Sequence, residues 1–186
     1  LKKPKSSRFL KRLTDEEKNQ LNPIIWFGGN QITGDQIFLK SNVKTEELDS
    51  LIIRGNVFMS QKDSLYSDRF NQIKGEKLDG FFSDGKLDNV YVVKNSTLLY
   101  YMYSDDAELI GLNKTLASSI LIKFLENEIS EVSFYRTPDG NVLSENKILT
   151  NEMKLPGFIW RESERPNKIS DLFSESDKEL EIVEIE

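Results

Sequence analysis

Asn30-Gln31-Ile32-Thr33-Gly34-Asp35 returns along the chain as Asn71-Gln72-Ile73-Lys74-Gly75-Glu76, and a faded third copy is read in Gly111-Leu112-Asn113-Lys114-Thr115. The spacing is about forty residues, a period that marks a repeated supersecondary unit. Each copy is followed by an alternating apolar stretch, a polar turn and a longer alternating stretch. In the first copy these are 36–40, a loose turn around 42–46, and 48–60. In the second they are 78–82, the turn Ser83-Asp84-Gly85-Lys86, and 87–103; in the third, 120–124, the turn Leu125-Glu126-Asn127-Glu128, and 129–135. Asp-Gly and Glu-Asn between alternating runs signal tight hairpins, because the turn needs positive φ and Gly or Asn tolerates it. The chain reads as an all-β stack of antiparallel hairpins.

Side-chain parity gives the stack a common face. Leu51 and Ile53 point one way and Ile52 the other; Val90 and Val92 oppose Tyr91; Val132 and Phe134 oppose Ser133. Partner strands supply Leu78 and Phe82 in the second unit and Ile120 and Ile122 in the third, at a similar offset from each turn. Successive units therefore line up one apolar strip. The opposite face also carries Ile52, Tyr91, Val93, Leu99, Tyr101 and Leu121, so a closed or folded-over sheet is expected rather than an open one.

Composition narrows the chemistry. At 186 residues the chain suffices for one well-buried domain, and a net charge of -6 with a pI near 5.0 argues against a nucleic-acid surface. It has no cysteine and no histidine, which excludes disulfides, thiolate zinc sites and imidazole catalysis. Carboxylates that could pair for catalysis are Asp35, Glu76, Asp79 and Asp84, but acids in turns are expected to be solvated, and no enzyme activity is expected. Asp105, Asp106 and Glu108 lack EF-hand spacing, and neither metal nor cofactor is expected. Lys74, Lys77, Lys94 and Lys114 recur near unit boundaries, where lysine commonly protects strand ends. No apolar run approaches the roughly 18 residues of a membrane span.

The chain divides into three regions. Residues 1–21 open with Lys2, Lys3, Lys5, Arg8, Lys11 and Arg12, and Thr14 with Glu17 has capping-box spacing for a short helix over 15–21. Residues 22–166 hold the repeats and a closing apolar clasp, Leu155-Pro156-Gly157-Phe158-Ile159-Trp160, preceded by a helical turn at 151–154; the clasp is expected to cover an edge strand or apolar end. Residues 167–186 form an acidic tail. The chain begins at Leu1 with no apolar signal core, as expected for a mature or excised form.

Several of these stretches together resemble the OstA-like proteins of Bacteroidetes-type bacteria, relatives of the lipopolysaccharide-transport bridge protein LptA and of the soluble domain of its outer-membrane receiver. The carrying motifs are Asn22-Pro23-Ile24-Ile25-Trp26 leading into the first echo, Arg69-Phe70 leading into the second, Gly111-Leu112-Asn113-Lys114, and Gly157-Phe158-Ile159-Trp160 with Arg165-Pro166. They span nearly all of 22–166. The resemblance implies a β-jelly roll, the folded-over "β-taco", which shields lipopolysaccharide acyl chains in a hydrophobic groove during transport across the periplasm toward the outer membrane. It implies as partners lipopolysaccharide and other transport jelly rolls joined edge to edge, and further repeats upstream. The groove-lining residues would be Leu51, Ile53, Leu78, Phe82, Val90, Val92, Ile120, Ile122, Val132 and Phe134. The same ten serve equally well as ordinary core, in which case the chain is a noncatalytic structural envelope module that assembles by edge-strand pairing. The third echo has Lys114-Thr115 in place of the Gly-acid pair, which argues against indefinite end-to-end growth through that end.

Overall fold

The computed structural model describes residues 22–126 and 128–168; the expected helix over 15–21, the centre of the third turn at 127 and the tail beyond 168 lie outside them. The strands are β1 (Ile24–Phe27), β2 (Asn30–Thr33), β3 (Gln36–Ser41), β4 (Leu48–Lys62), β5 (Phe70–Ser83), β6 (Lys86–Tyr103), β7 (Leu109–Leu125), β8 (Glu128–Tyr135) and β9 (Asp139–Leu143). Every pairing is antiparallel, and all nine strands belong to one sheet in the order β1-β2-β4-β5-β6-β7-β8, with β3 also on β4 and β9 also on β7. The sheet is not closed. Beyond β9 the chain makes three short 3-10 turns, at Glu145–Lys147, Thr150–Glu152 and Glu162–Glu164.

The four central strands run 14 to 18 residues, longer than the echo-then-hairpin pattern suggests, because the echo is itself strand. Asn30–Thr33 is β2, and the second echo lies within β5. Both echoes end at a corner where the ladder loses register. Pairing jumps between Arg54 and Val57 on β4, between Lys74 and Lys77 on β5, and between Val93 and Ser96 on β6. At these bulges Gly55 (φ 78°), Asn56 (45°), Lys94 (67°) and Asn95 (49°) are left-handed, and each bulge bends its strand. The connection from β2 to β3 turns the same corner at Gly34-Asp35, where the Asp35 N–H donates to the Gly55 carbonyl at 2.9 Å. The breaks line up into a crease that divides one sheet into two leaves.

The first leaf holds β1, β2, β9 and residues 57–62, 70–74, 96–103 and 109–117; the second holds β3, β8 and residues 48–54, 77–83, 86–93 and 119–125. They close face to face. The Phe27 ring of the first leaf lies 4.7 Å from that of Phe82 in the second. One buried cluster joins Ile32, Val57, Met59, Ile73 and Leu98 of the first leaf to Leu51, Ile53, Leu78, Val90, Val92, Ile120 and Ile122 of the second.

The echo is legible as crease chemistry. A Cβ on Gly34 would overlap Ile53 Cγ2, and one on Gly75 would overlap Val92 Cγ1, because each of those side chains leans across the corner from the neighbouring strand. The acid after each glycine then ties down the next strand's left-handed Asn. Asn56 Nδ2 donates to both Asp35 carboxylate oxygens at 2.8 and 2.9 Å, and Asn95 Nδ2 to Glu76 Oε1 at 2.8 Å. The third copy meets the crease with Ala117, paired with Ser96, so Ala117-Ser118, and not Lys114-Thr115 as the sequence alone suggests, stands where the other copies have Gly and an acid; the strand register shifts the third copy by three residues. We predict that Gly34→Ala and Gly75→Ala each lower unfolding free energy by about 1–3 kcal/mol in urea denaturation, as overpacking does. Gly29→Ala, whose Cβ meets nothing within 4 Å, should leave it nearly unchanged.

Candidate functional site

The ten strip residues fall on one face of the second leaf, and strand register explains their order. Ile53, Leu78, Val92, Ile120 and Phe134 form one rung across five strands, each paired with the next. Leu51, Gly80, Val90, Ile122 and Val132 form the adjacent rung. Directly opposed apolar pairs are the stabilising unit of such a sheet, and here they run along both rungs with a gap only at Gly80. Phe82 sits one position further out, against Leu87 and Phe27.

Burial divides the set. Leu51, Ile53, Leu78, Val90, Val92, Ile120 and Ile122 are at most 1% exposed, closed over by the first leaf. Between Met59, Ile73 and Leu98 on one side and Ile122 and Ile129 on the other, the free space is only about 10 Å³, no more than the limit for a single water. At the β8 edge the leaves part. Leu98, Tyr100 and Met102 of the first leaf and Ile129, Val132 and Phe134 of the second line an open cleft of about 200 Å³. Phe82, Val132 and Phe134 are the strip residues only partly buried, the last two of them in this mouth. On its rim, Glu131 is held below the usual carboxylate range by hydrogen bonds from Lys123 and then Ser133.

The apolar clasp lies elsewhere than expected. It lies chiefly on a face: the segment 144–161 crosses the outer face of the first leaf, where Leu155 with Ile148, Met153 and Phe158 packs on Phe58, Leu99, Tyr101 and Leu112, and Trp160 reaches the edge strand β1. This accounts for Leu99 and Tyr101 on the second parity, which need a cover of their own, while Ile52, Tyr91, Val93 and Leu121 on the outer face of the second leaf stay half-buried. Trp160 meets Trp26 edge-on at 5.1 Å and Phe70 at 5.0 Å. Of the helical turn expected over 151–154, the structure forms only a 3-10 turn one residue earlier, at Thr150–Glu152.

The echo positions hold this strap. Gln72 donates to the Met153 carbonyl and accepts from the Leu155 N–H, both at 2.8 Å. Gln31 repeats the pattern, donating to the Ile159 carbonyl at 2.7 Å and accepting from the Arg161 N–H at 2.6 Å. Each amide thus takes a carbonyl and the N–H two residues later, as a neighbouring strand would. In the third copy the equivalent side chain is Lys114, which pairs with Glu152 at 2.7 Å. Lys74 also donates to the Pro156 carbonyl at 3.1 Å. Of the four boundary lysines, two therefore secure the strap, and Lys94 lies 3.5 Å from Glu76.

Three of the four carboxylates weighed for catalysis have local partners. Asp35 and Glu76 bind the crease asparagines, Asp79 pairs with Arg54 at 2.8 Å, and Asp84 sits in the β5–β6 turn with φ 50°. Among the described residues no three His, Cys, Asp or Glu come together in a way that could hold a metal ion, and no helix is long and apolar enough to cross a membrane. No protein-family model matches this chain, and no curated protein matches it.

One polar cluster ties the strap's start to the sheet. Tyr103 Oη donates to Asp63 at 2.8 Å and accepts from Arg69, whose guanidinium lies 3.9 Å over the Tyr66 ring and 3.7 Å from Glu145. Burial, reinforced by Asp63, pushes the Tyr103 phenol up to about 12 from its ordinary 10.0, against the opposing pull of Arg69. The folded state therefore holds this proton more tightly than the unfolded chain. Its contribution to stability is complete below 10.0 and is lost as pH rises toward about 12. Denaturation measured across that window should show a shallower decline for Tyr103→Phe than for the parent. Gln72→Ala should cost about 1–3 kcal/mol by orphaning a buried N–H, and hydrogen exchange should show the Leu155 amide losing protection before the β4–β7 core.

Proposed function

We propose that this chain is a noncatalytic lipid-carrying domain of the OstA-like, LptA-type kind, a β-jelly roll of the folded-over type that receives lipopolysaccharide acyl chains between its leaves in the periplasm and passes them toward the outer membrane. The observation that carries the proposal is the mouth at the β8 edge. A largely apolar cleft of about 200 Å³ opens between the leaves and leads directly onto two apolar rungs, one of them interrupted only at Gly80. Each buried methylene contributes about 0.8 kcal/mol, so a short stretch of acyl chain suffices for capture. Aliphatic rungs without polar pockets give even affinity along the path, as handover requires. Entry beyond the mouth needs the leaves to spread, because the seven inner residues are sealed.

That sealing favours a second reading, a structural envelope module joined to other β-proteins by strand addition. Exposed Tyr135 on β8 and Val142 on β9 stand at the edge such a partner would pair with. Photo-crosslinking separates the two. A photoreactive residue at Val132, Phe134, Val92 or Ile122, with outward controls at Asp79 and Ser133, is illuminated with purified lipopolysaccharide. Lipid carriage gives adducts at Val132 and Phe134 first and at Ile122 and Val92 on longer incubation. Folded protein without adducts at any of the four would leave edge assembly as the better account. Val132→Asp, placed in the mouth rather than the core, should keep the fold and lower lipid capture about tenfold or more, since it sets a charge where an acyl chain would lie.

A further inference from the structure

A second cleft, larger than the mouth and of different chemistry, lies on the other side of the sheet. It occupies about 1030 Å³ along the crease, and its walls are outward-facing residues of both leaves. From the second leaf come Tyr91, Val93, Ser119 and Tyr135; from the first come Thr97 and Leu116; Arg136 and Thr137 of the β8–β9 connection border it. We propose that this cleft is a carbohydrate-binding groove that takes a short oligosaccharide against the Tyr91–Tyr135 pair.

Three observations converge on that ligand class. The two tyrosine rings are stacked on each other, 22° between planes and 5.9 Å between centroids, and Tyr135 is 40% exposed, so the groove carries a partly exposed aromatic ring braced by a second. A pyranose presents an apolar C–H face that packs on such a ring and hydroxyls around its rim. Around the tyrosines stand the hydroxyls of Ser118, Ser119 and Thr137, each a donor and an acceptor, as a polyhydroxylated ligand requires. The charges are of both signs, Lys94 and Arg136 against Glu76 and Asp139, so the groove selects neither an anion nor a cation by net field.

Alternatives fit less well. The walls mix apolar residues with charged ones of both signs, which an acyl chain would cover without pairing. A β-strand partner is disfavoured because the groove follows the crease, where the β6 ladder is broken between Val93 and Ser96. The volume reaches the upper end of the roughly 300–1,000 Å³ usual for ligand clefts, enough for several sugar rings. Arg136 and Thr137, both exposed and left-handed (φ 58° and 51°), place a guanidinium and a hydroxyl at the rim, and Arg136 has no hydrogen-bond or ion-pair partner among the described residues.

The proposal stands independently of lipid carriage, since the cleft is on the opposite face of the sheet from the rungs. A sugar could come as a free oligosaccharide or as the headgroup of a glycolipid, and two arms distinguish them. In the first, saturation-transfer difference NMR on the full chain uses maltohexaose, cellohexaose, chitotetraose and mannotetraose. In the second, co-sedimentation compares phosphatidylethanolamine vesicles with and without lipopolysaccharide. Transfer from at least one saccharide, or lipopolysaccharide-dependent sedimentation that survives Val132→Asp and is lost in Tyr91→Ala/Tyr135→Ala, is expected. Affinity should fall about tenfold or more in Tyr91→Ala/Tyr135→Ala but persist in Tyr135→Phe, which keeps the ring. Val132→Asp, in the lipid mouth, should leave soluble saccharide binding unchanged, so failure of lipid carriage does not mask this site. The proposal is overturned if neither arm shows binding, or if the double alanine variant, folded by circular dichroism, binds as the parent does.

Discussion

Two side chains leaning over a corner set the architecture. Ile53 and Val92 reach across the crease from the second leaf and fill the space where Gly34 and Gly75 would carry a Cβ. The close approach lets a neighbouring strand bend without opening a gap behind it. The acid next to each glycine completes the corner by holding an asparagine in a left-handed conformation that residue adopts at modest cost. Once the bends coincide on adjacent strands, a sheet of 14- to 18-residue strands closes face to face, and the aliphatic rungs are buried without any second sheet or helix.

The other face of the first leaf is solved differently. There the sheet has no further strands to offer, and a C-terminal strap of irregular backbone provides the cover. Irregular backbone over an apolar surface leaves carbonyls and N–H groups without ladder partners. The glutamines of the echo meet that need: Gln31 and Gln72 each present an amide that pairs with a carbonyl and an N–H two residues apart. One short repeated motif thus performs two tasks, bending the sheet through its glycine and fastening the strap through its glutamine.

Much of this is legible in the chain. Alternation locates the strands, and parity places Ile53, Val92 and Ile120 on one rung because a period of two leaves no freedom once hairpin turns are known. The folded-over option is also within reach, since apolar residues on both parities require two covers. The role of the echo is not. Taken locally, Gly34-Asp35 and Gly75-Glu76 look like punctuation before a hairpin, and only the register across three strands shows them to be corners of the sheet. The clasp is recognisable by its aromatics, but its docking face depends on Phe58 and Leu112 being outward, and that depends on bulge positions that single-strand patterns do not contain. The groove at Tyr91 and Tyr135 is hidden for the same reason: the two tyrosines are far apart in sequence and meet only through the β6–β7–β8 pairing.

Because each crease crossing adds one strand segment to both leaves at once, the fold lengthens without changing its cross-section. A unit of about forty residues contributes two adjacent strands, and neighbouring strands lie about 4.8 Å apart, so one more copy would extend the interior by roughly 10 Å. Length is therefore a matter of how many times the motif is written. The corner at Ala117-Ser118 lacks both the glycine and the acid, so a strand can cross the crease without them where its neighbour carries the bulge.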